Sequence, residues 1–293
     1  MPMIPSRETT IRYILERRCE SGGYCFYRLD EPNAGDTFFA LTSLAILDSL
    51  PQDDYATLGY LQSFQHEDGS FPNPNVGHAV IRSLALLGER PLKDSTDWIL
   101  GAMAAPGDTS RPIESSSLFE PLYHLTCLCR ILGIEVPPRK KDALIHAVLG
   151  YRNPDGGFGS PNSTMVEISH ALSILQVLNP SPQNESETFL KLCEDVEYGF
   201  LSVPSSRPSF LEHIHAGVLA CSLTGYRTPV LGRCWEFIEK CYRDNGGYCR
   251  SVFGGSATLE NTWLAVTAMK MIDELATGPA ANPARKPAER CCD

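Results

Sequence analysis

Apolar residues in this chain recur at helical spacing, and they do so in a longer rhythm. A glycine-rich, turn-like segment comes first and an apolar run follows. Gly22-Gly23-Tyr24 precedes Asp36-Thr37-Phe38-Phe39-Ala40-Leu41, and Gln65-His66-Glu67-Asp68-Gly69-Ser70-Phe71 precedes Asn75-Val76-Gly77-His78-Ala79-Val80. Pro106-Gly107-Asp108 leads, more degenerately, into Tyr123-His124-Leu125-Thr126. Asn153-Pro154-Asp155-Gly156-Gly157-Phe158 precedes Glu167-Ile168-Ser169-His170, Tyr198-Gly199-Phe200 precedes Glu212-His213-Ile214-His215, and Asn245-Gly246-Gly247-Tyr248 precedes Glu260-Asn261-Thr262-Trp263. Alternating β-branched runs, the mark of strands, are sparse.

Aligned on the apolar runs, one column reads Phe39, His78, His124, His170, His215, Trp263, with steps of 39, 46, 46, 45 and 48 residues. Four of the chain's seven histidines fall in it, so the register is real rather than accidental. Three residues earlier stand Asp36, Asn75, Pro121, Glu167, Glu212 and Glu260. Positions i and i+3 share a helix face, so Glu167 and His170 point the same way, as do Glu212 and His215. Between the runs, Asp54 to Phe64, Lys140 to Tyr151, Ser186 to Val196 and Val230 to Tyr242 carry a second set of helical patterns. Residues 1–18 supply the outer helix of the first unit. Six helix-turn-helix units cannot each bury an apolar face alone, and stacking in a circle closes them. The expected fold is all-α, an (α/α)6 toroid over residues 1–275, with the column facing a central cavity. The glycines permit left-handed backbone in the turns, and each turn aromatic packs into adjoining helices. Residues 276–293, rich in Pro, Ala and charge, read as a disordered tail, and Cys291-Cys292 in it is not in a lipid-acceptor position.

Composition narrows the functions. The formal net charge is -10 and no Lys/Arg stripe is present, which excludes a nucleic-acid groove. No apolar run approaches the ~20 residues that cross a bilayer, and the polar start lacks the apolar core of a secretion signal. Eleven cysteines, an odd number scattered through apolar runs without a Cys-x-x-Cys pair, read as buried thiols of a reducing, cytoplasmic compartment rather than a Cys-rich zinc site.

The glycine–aromatic turns and six helical hairpins resemble the β subunits of protein prenyltransferases and, more loosely, squalene and terpene cyclases, over residues 15–275. Gln65 to Phe71 is similar to the cyclases' Gln/Trp repeat, with Phe in place of Trp. The resemblance implies an isoprenoid or other apolar substrate, and for a protein prenyltransferase an α-subunit partner. The transferases hold zinc on an Asp, a Cys two residues later and a His of the next unit. Those positions fall here on Glu167, Ser169 and His215, so the thiolate is lost. Their diphosphate-binding cations precede the zinc Asp, but Ser160-Pro161-Asn162-Ser163-Thr164-Met165 has none. Arg207 and Arg250, on the corresponding loops of the next units, are candidate substitutes. The cyclases protonate an alkene with an Asp-rich motif. Asp36 stands alone in a similar setting, with Asp30 six residues away, and an acid beside a His cation would serve the same end.

Three readings of the cavity follow. Glu167, His170, Glu212 and His215, with His124 beside them, could hold a divalent metal, zinc or iron. Their paired Glu-x-x-His spacing matches the di-iron carboxylate pattern, which opens an oxidative, non-haem iron alternative. The same residues could instead be a metal-free acid/base set, or a polar lining that satisfies itself in a non-catalytic toroid binding a protein partner. The candidate catalytic residues are Glu167, His170, Glu212, His215 and Asp36. The candidate substrate contacts are His78, Arg82, Phe39, Tyr123 and Trp263, whose aromatic members could line a prenyl chain or face a carbocation. His66 in a turn, His146 on an outer helix and His213, about 160° around the helix from His215, are set aside.

Overall fold

A computed structural model describes residues 6–26, 31–52, 54–107, 117–180 and 184–278. Asp30, Asp108, the cysteines near the end and residues 279–293 lie outside them. Twelve α-helices occur among the described residues: α1 (Arg7–Leu15), α2 (Ala34–Ile46), α3 (Tyr55–Gln62), α4 (Pro74–Leu86), α5 (Thr96–Ala102), α6 (Glu120–Leu132), α7 (Pro138–Leu149), α8 (Met165–Leu178), α9 (Glu187–Leu192), α10 (Leu211–Thr224), α11 (Leu231–Cys241) and α12 (Leu259–Thr277). Even-numbered helices carry the histidine–aromatic column and odd-numbered ones the intervening patterns, as six hairpins require. The last helix runs two residues into the segment read as tail.

Burial separates the two sets. The core helix α8 buries ten of its fourteen residues, and α2 eight of thirteen. The outer helix α7 buries only Leu144 and Val148, and α3 only Thr57 and Leu61. A helix covered on nearly every side needs apolar or small residues almost throughout, and a flanking helix only a stripe. Each fully buried Leu, Ile or Phe contributes about 1.5–3 kcal/mol, so the even-numbered helices dominate the stability.

The chain forms two compact units. Among the described residues, the first comprises those within 6–102 and 239–267, the second those within 103–238 and 268–278. In the first, α2 packs along α4; in the second, α8 packs between α6 and α10. A two-stranded antiparallel pair, β1 (Glu194–Asp195) with β2 (Gly199–Phe200), closes one turn of the second unit.

The turns explain the repeat. Gly69 has φ +82°, and a Cβ there would sit 2.0 Å from the Asp94 carbonyl oxygen; Gly156 has φ +83° and would meet the Glu185 carbonyl oxygen at 2.1 Å. Both positions need left-handed backbone and both press against the chain ahead of the next outer helix, so only glycine fits. Two residues on, Phe71 and Phe158 are buried, as are the equivalent Tyr24, Phe200 and Tyr248. Phe71 packs on Trp98 at 5.4 Å between ring centroids, and Phe158 on Phe119 at 6.3 Å. The start of the core helix is tied to the turn as well. Backbone N–H of Tyr24 donates to Thr37 Oγ1 at 3.0 Å, and that of Tyr248 to Thr262 Oγ1 at 3.2 Å.

Candidate functional site

Each unit gathers its own members of the column. In the first, Phe38 is the hub. Its ring centroid lies 5.5 Å from Phe39, 5.6 Å from His78 and 5.6 Å from Trp263. Trp263 stacks on Phe39 at 5.0 Å with 30° between the planes. The Arg82 guanidinium sits 4.8 Å over the Phe38 ring, a cation–π contact strengthened by burial. Phe39 and Trp263 stay half-buried while Phe38, His78 and Arg82 are buried, so the first two present the ring surface of the cluster. Four of the five residues expected to touch substrate therefore form one assembly; Tyr123 lies in the other unit.

In the second unit the centre is His170. Its ring stacks on Tyr123 at 4.5 Å, only 10° from parallel, and Tyr123 lies 5.4 Å from the His124 ring. His170 Nδ1 is 2.7 Å from the Ser117 hydroxyl. Burial lowers the imidazole pKa from its ordinary value to about 3, with the neighbouring His215 adding a smaller push in the same direction. His170 is thus a neutral imidazole at physiological pH, although part of its surface stays open. Ser117 was not among the residues expected from the sequence. It lies outside the repeat's column, and only its place beside the start of α6 brings it to His170.

The carboxylates behave differently from expectation. Glu167 is buried in the first turn of α8, where its backbone N–H donates to Thr164 Oγ1 at 3.2 Å and the Thr164 hydroxyl donates to its Oε2 at 3.1 Å. This reciprocal cap turns the carboxylate back toward the helix start. Asp36 accepts from Asn33 Nδ2 at 2.7 Å and from the Phe26 backbone N–H at 3.0 Å. It clamps the preceding loop to α2, and no His cation activates it in these contacts. Glu212 occupies the first turn of α10, half-buried, and His215 follows one turn on.

The metal reading does not fit this arrangement. Among the described residues, no three or more His, Cys, Asp or Glu side chains group closely enough to hold a metal ion. Glu167, His170, Glu212, His215 and His124 therefore form no such group among the described residues. Glu167 is bent into its cap, and His170 Nδ1 is engaged by Ser117. Equal i,i+3 spacing on two helices aims side chains in one direction without by itself bringing their atoms together, so the spacing alone does not make a di-iron site. Arg207, a candidate anion ligand, is instead held by Asp195 Oδ2 at 2.7 Å and Glu197 Oε2 at 3.2 Å. Arg250 is exposed. His66 and His146 are both exposed.

The model of the prenyltransferase alpha-alpha toroid domain matches residues 4–88 and 163–285. The chain belongs to that family. Its all-α fold is an α/α toroid, as the repeat implied. A solved structure of Candida albicans protein geranylgeranyltransferase-I, complexed with GGPP, is similar to it with a TM-score of 0.70 and 13% identity, over 92% of this chain and 91% of that one. A protein from Actinoplanes is similar with a TM-score of 0.54 and 14% identity, over 92% of this chain and all of that one. No curated protein sequence matches the chain.

Proposed function

We propose that this toroid is an isoprenoid-processing enzyme that holds an apolar prenyl chain against the Phe39–Trp263 face. The observation that carries this reading is the aromatic assembly of Phe38, Phe39, His78 and Trp263, with the open faces of Phe39 and Trp263 at column positions. Stacked rings offer flat, apolar, electron-rich surface, which suits both an alkene chain and developing positive charge on carbon. Family membership supports the substrate class, as does the GGPP in the Candida albicans neighbour.

Thiolate transfer is the branch least supported. Ser169 stands where the transferases have their zinc cysteine, and the donors around it do not group. In the proposed scheme His170, Glu212 and His215 act as polar and proton-handling groups, and Glu167 and Asp36 fix the helix starts that carry them. No helix among the described residues is long and apolar enough to cross a membrane. The nine described cysteines are all unbridged and buried, which supports a reducing, cytoplasmic setting.

Titration of the full chain with geranylgeraniol and geranylgeranyl diphosphate, read by tryptophan fluorescence, with products followed by mass spectrometry, tests the proposal. We expect saturable binding of at least one compound, weakened at least about fivefold in Phe39→Ala. If neither binds, the isoprenoid reading is wrong. The same samples, sized with and without a prenyltransferase α subunit, test whether a partner is needed.

A further inference from the structure

Ser117 determines what His170 can do. The Ser117 side chain is fully buried, and its Oγ already accepts from the Phe119 backbone N–H at 3.1 Å. Among the described residues the acceptor in reach of its own proton is His170 Nδ1, at 2.7 Å. A buried hydroxyl donates where an acceptor is available, because leaving its proton unmatched costs about 1–3 kcal/mol. Nδ1 then accepts, and a neutral imidazole with an accepting Nδ1 carries its proton on Nε2. Tyr123 lies flat against the ring and restricts its tilt.

The charges on the same helices select the acceptor. The three core helices of the second unit carry Glu120, Glu167 and Glu212 in their first turns. Their single Lys or Arg is Arg130, in the last turn of α6, where it lines a cleft with Lys141 and Gln176. An anionic head group beside His170 would meet an uncharged ring and no cation from the turns that carry His124, His170 and His215. An uncharged oxygen needs only the fixed N–H donor.

We infer that Ser117 is a positioning residue that fixes His170 as the Nε2–H tautomer, and that this neutral N–H donates a hydrogen bond to an uncharged oxygen of the substrate, a ketone, quinone or ester carbonyl. The inference rests on the proposed isoprenoid-processing reading for the class of ligand. It makes the ligand a prenyl carbonyl compound rather than a prenyl diphosphate.

Two measurements on the full chain test it. Nitrogen NMR of histidine-labelled protein at neutral pH, with the signal assigned by its loss in His170→Phe, should show a protonated Nε2 and an unprotonated Nδ1. In Ser117→Ala the two tautomers should mix, and Ser117→Thr should restore the single form. A protonated Nδ1 in the unmodified chain, or an unchanged spectrum in Ser117→Ala, overturns the assignment. In binding assays, His170→Phe should lose about tenfold in affinity for geranylacetone, one hydrogen bond's worth, and nothing for the carbonyl-free prenyl hydrocarbon. Equal losses for both, or tighter binding of geranyl diphosphate than geranylacetone to the unmodified chain, overturn the acceptor. If none of the three compounds binds, the prenyl reading and the acceptor fall together, while the NMR result decides the tautomer by itself.

Discussion

The two compact units use the same turn and the same helix position for opposite chemistry. In the first, the column supplies Phe39, His78 and Trp263, bound into a ring cluster beneath a buried guanidinium. In the second it supplies His124, His170 and His215, with stacking on Tyr123 and carboxylates in the first helical turns. The scaffold under both is the glycine turn with its buried aromatic. Position is therefore set by the repeat, and chemistry by which side chain each unit places there.

If the scaffold is common to both units, the strongest blow should fall on both alike. Gly69→Ala and Gly156→Ala each put a Cβ about 2 Å from a carbonyl oxygen in left-handed backbone. We expect each to cost about 2–4 kcal/mol in urea unfolding. A loss confined to one unit would mean that the turns are not equivalent. Trp263→Ala comes next, at about 2 kcal/mol for a half-buried stacked indole, with loss of prenyl affinity as well. Retained affinity would remove the first unit from ligand binding.

The pH dependence separates the units more finely. Folded His170 titrates near 3, far below the value of about 6.5 for an unfolded imidazole. Between those values the unfolded chain binds the extra proton, so this contribution is complete above pH 6.5 and is lost as pH falls. The open part of the ring tempers the effect, and we expect about 1–2 kcal/mol less stability at pH 5 than at pH 7, absent from His170→Phe. Unfolding midpoints at pH 5, 6 and 7 check it. A slope that survives in the variant would place the titrating group elsewhere. The smallest expected effect is none. Chelation with EDTA should leave the thermal midpoint unchanged, and the purified chain should carry no stoichiometric zinc or iron. A metal lost together with stability would restore the centre that the donor positions argue against.

The fold was legible because it depends on repetition. Six glycine-led runs imposed one register, and a register error would have scattered His78, His124, His170 and His215 instead of aligning them. The clustering of the aromatic column members was legible for the same reason, since Phe39 and Trp263 inherit their direction from the repeat. Convergence of the acids was not. Spacing fixes the side of a helix from which a side chain leaves, whereas the final position of a carboxylate depends on local donors. Thr164 captures Glu167, and Asn33 with the Phe26 amide captures Asp36. Ser117 escaped because its role comes from contact across 53 residues of sequence.

The buried turn aromatics have an evolutionary consequence. Each hairpin is seated by Gly69, Gly156 and their equivalents, several residues away from the column, so foundation and working surface occupy separate stretches of sequence. Natural variation can exchange an imidazole for an indole at the working position while the seat stays intact. A lineage built this way can change its chemistry one hairpin at a time.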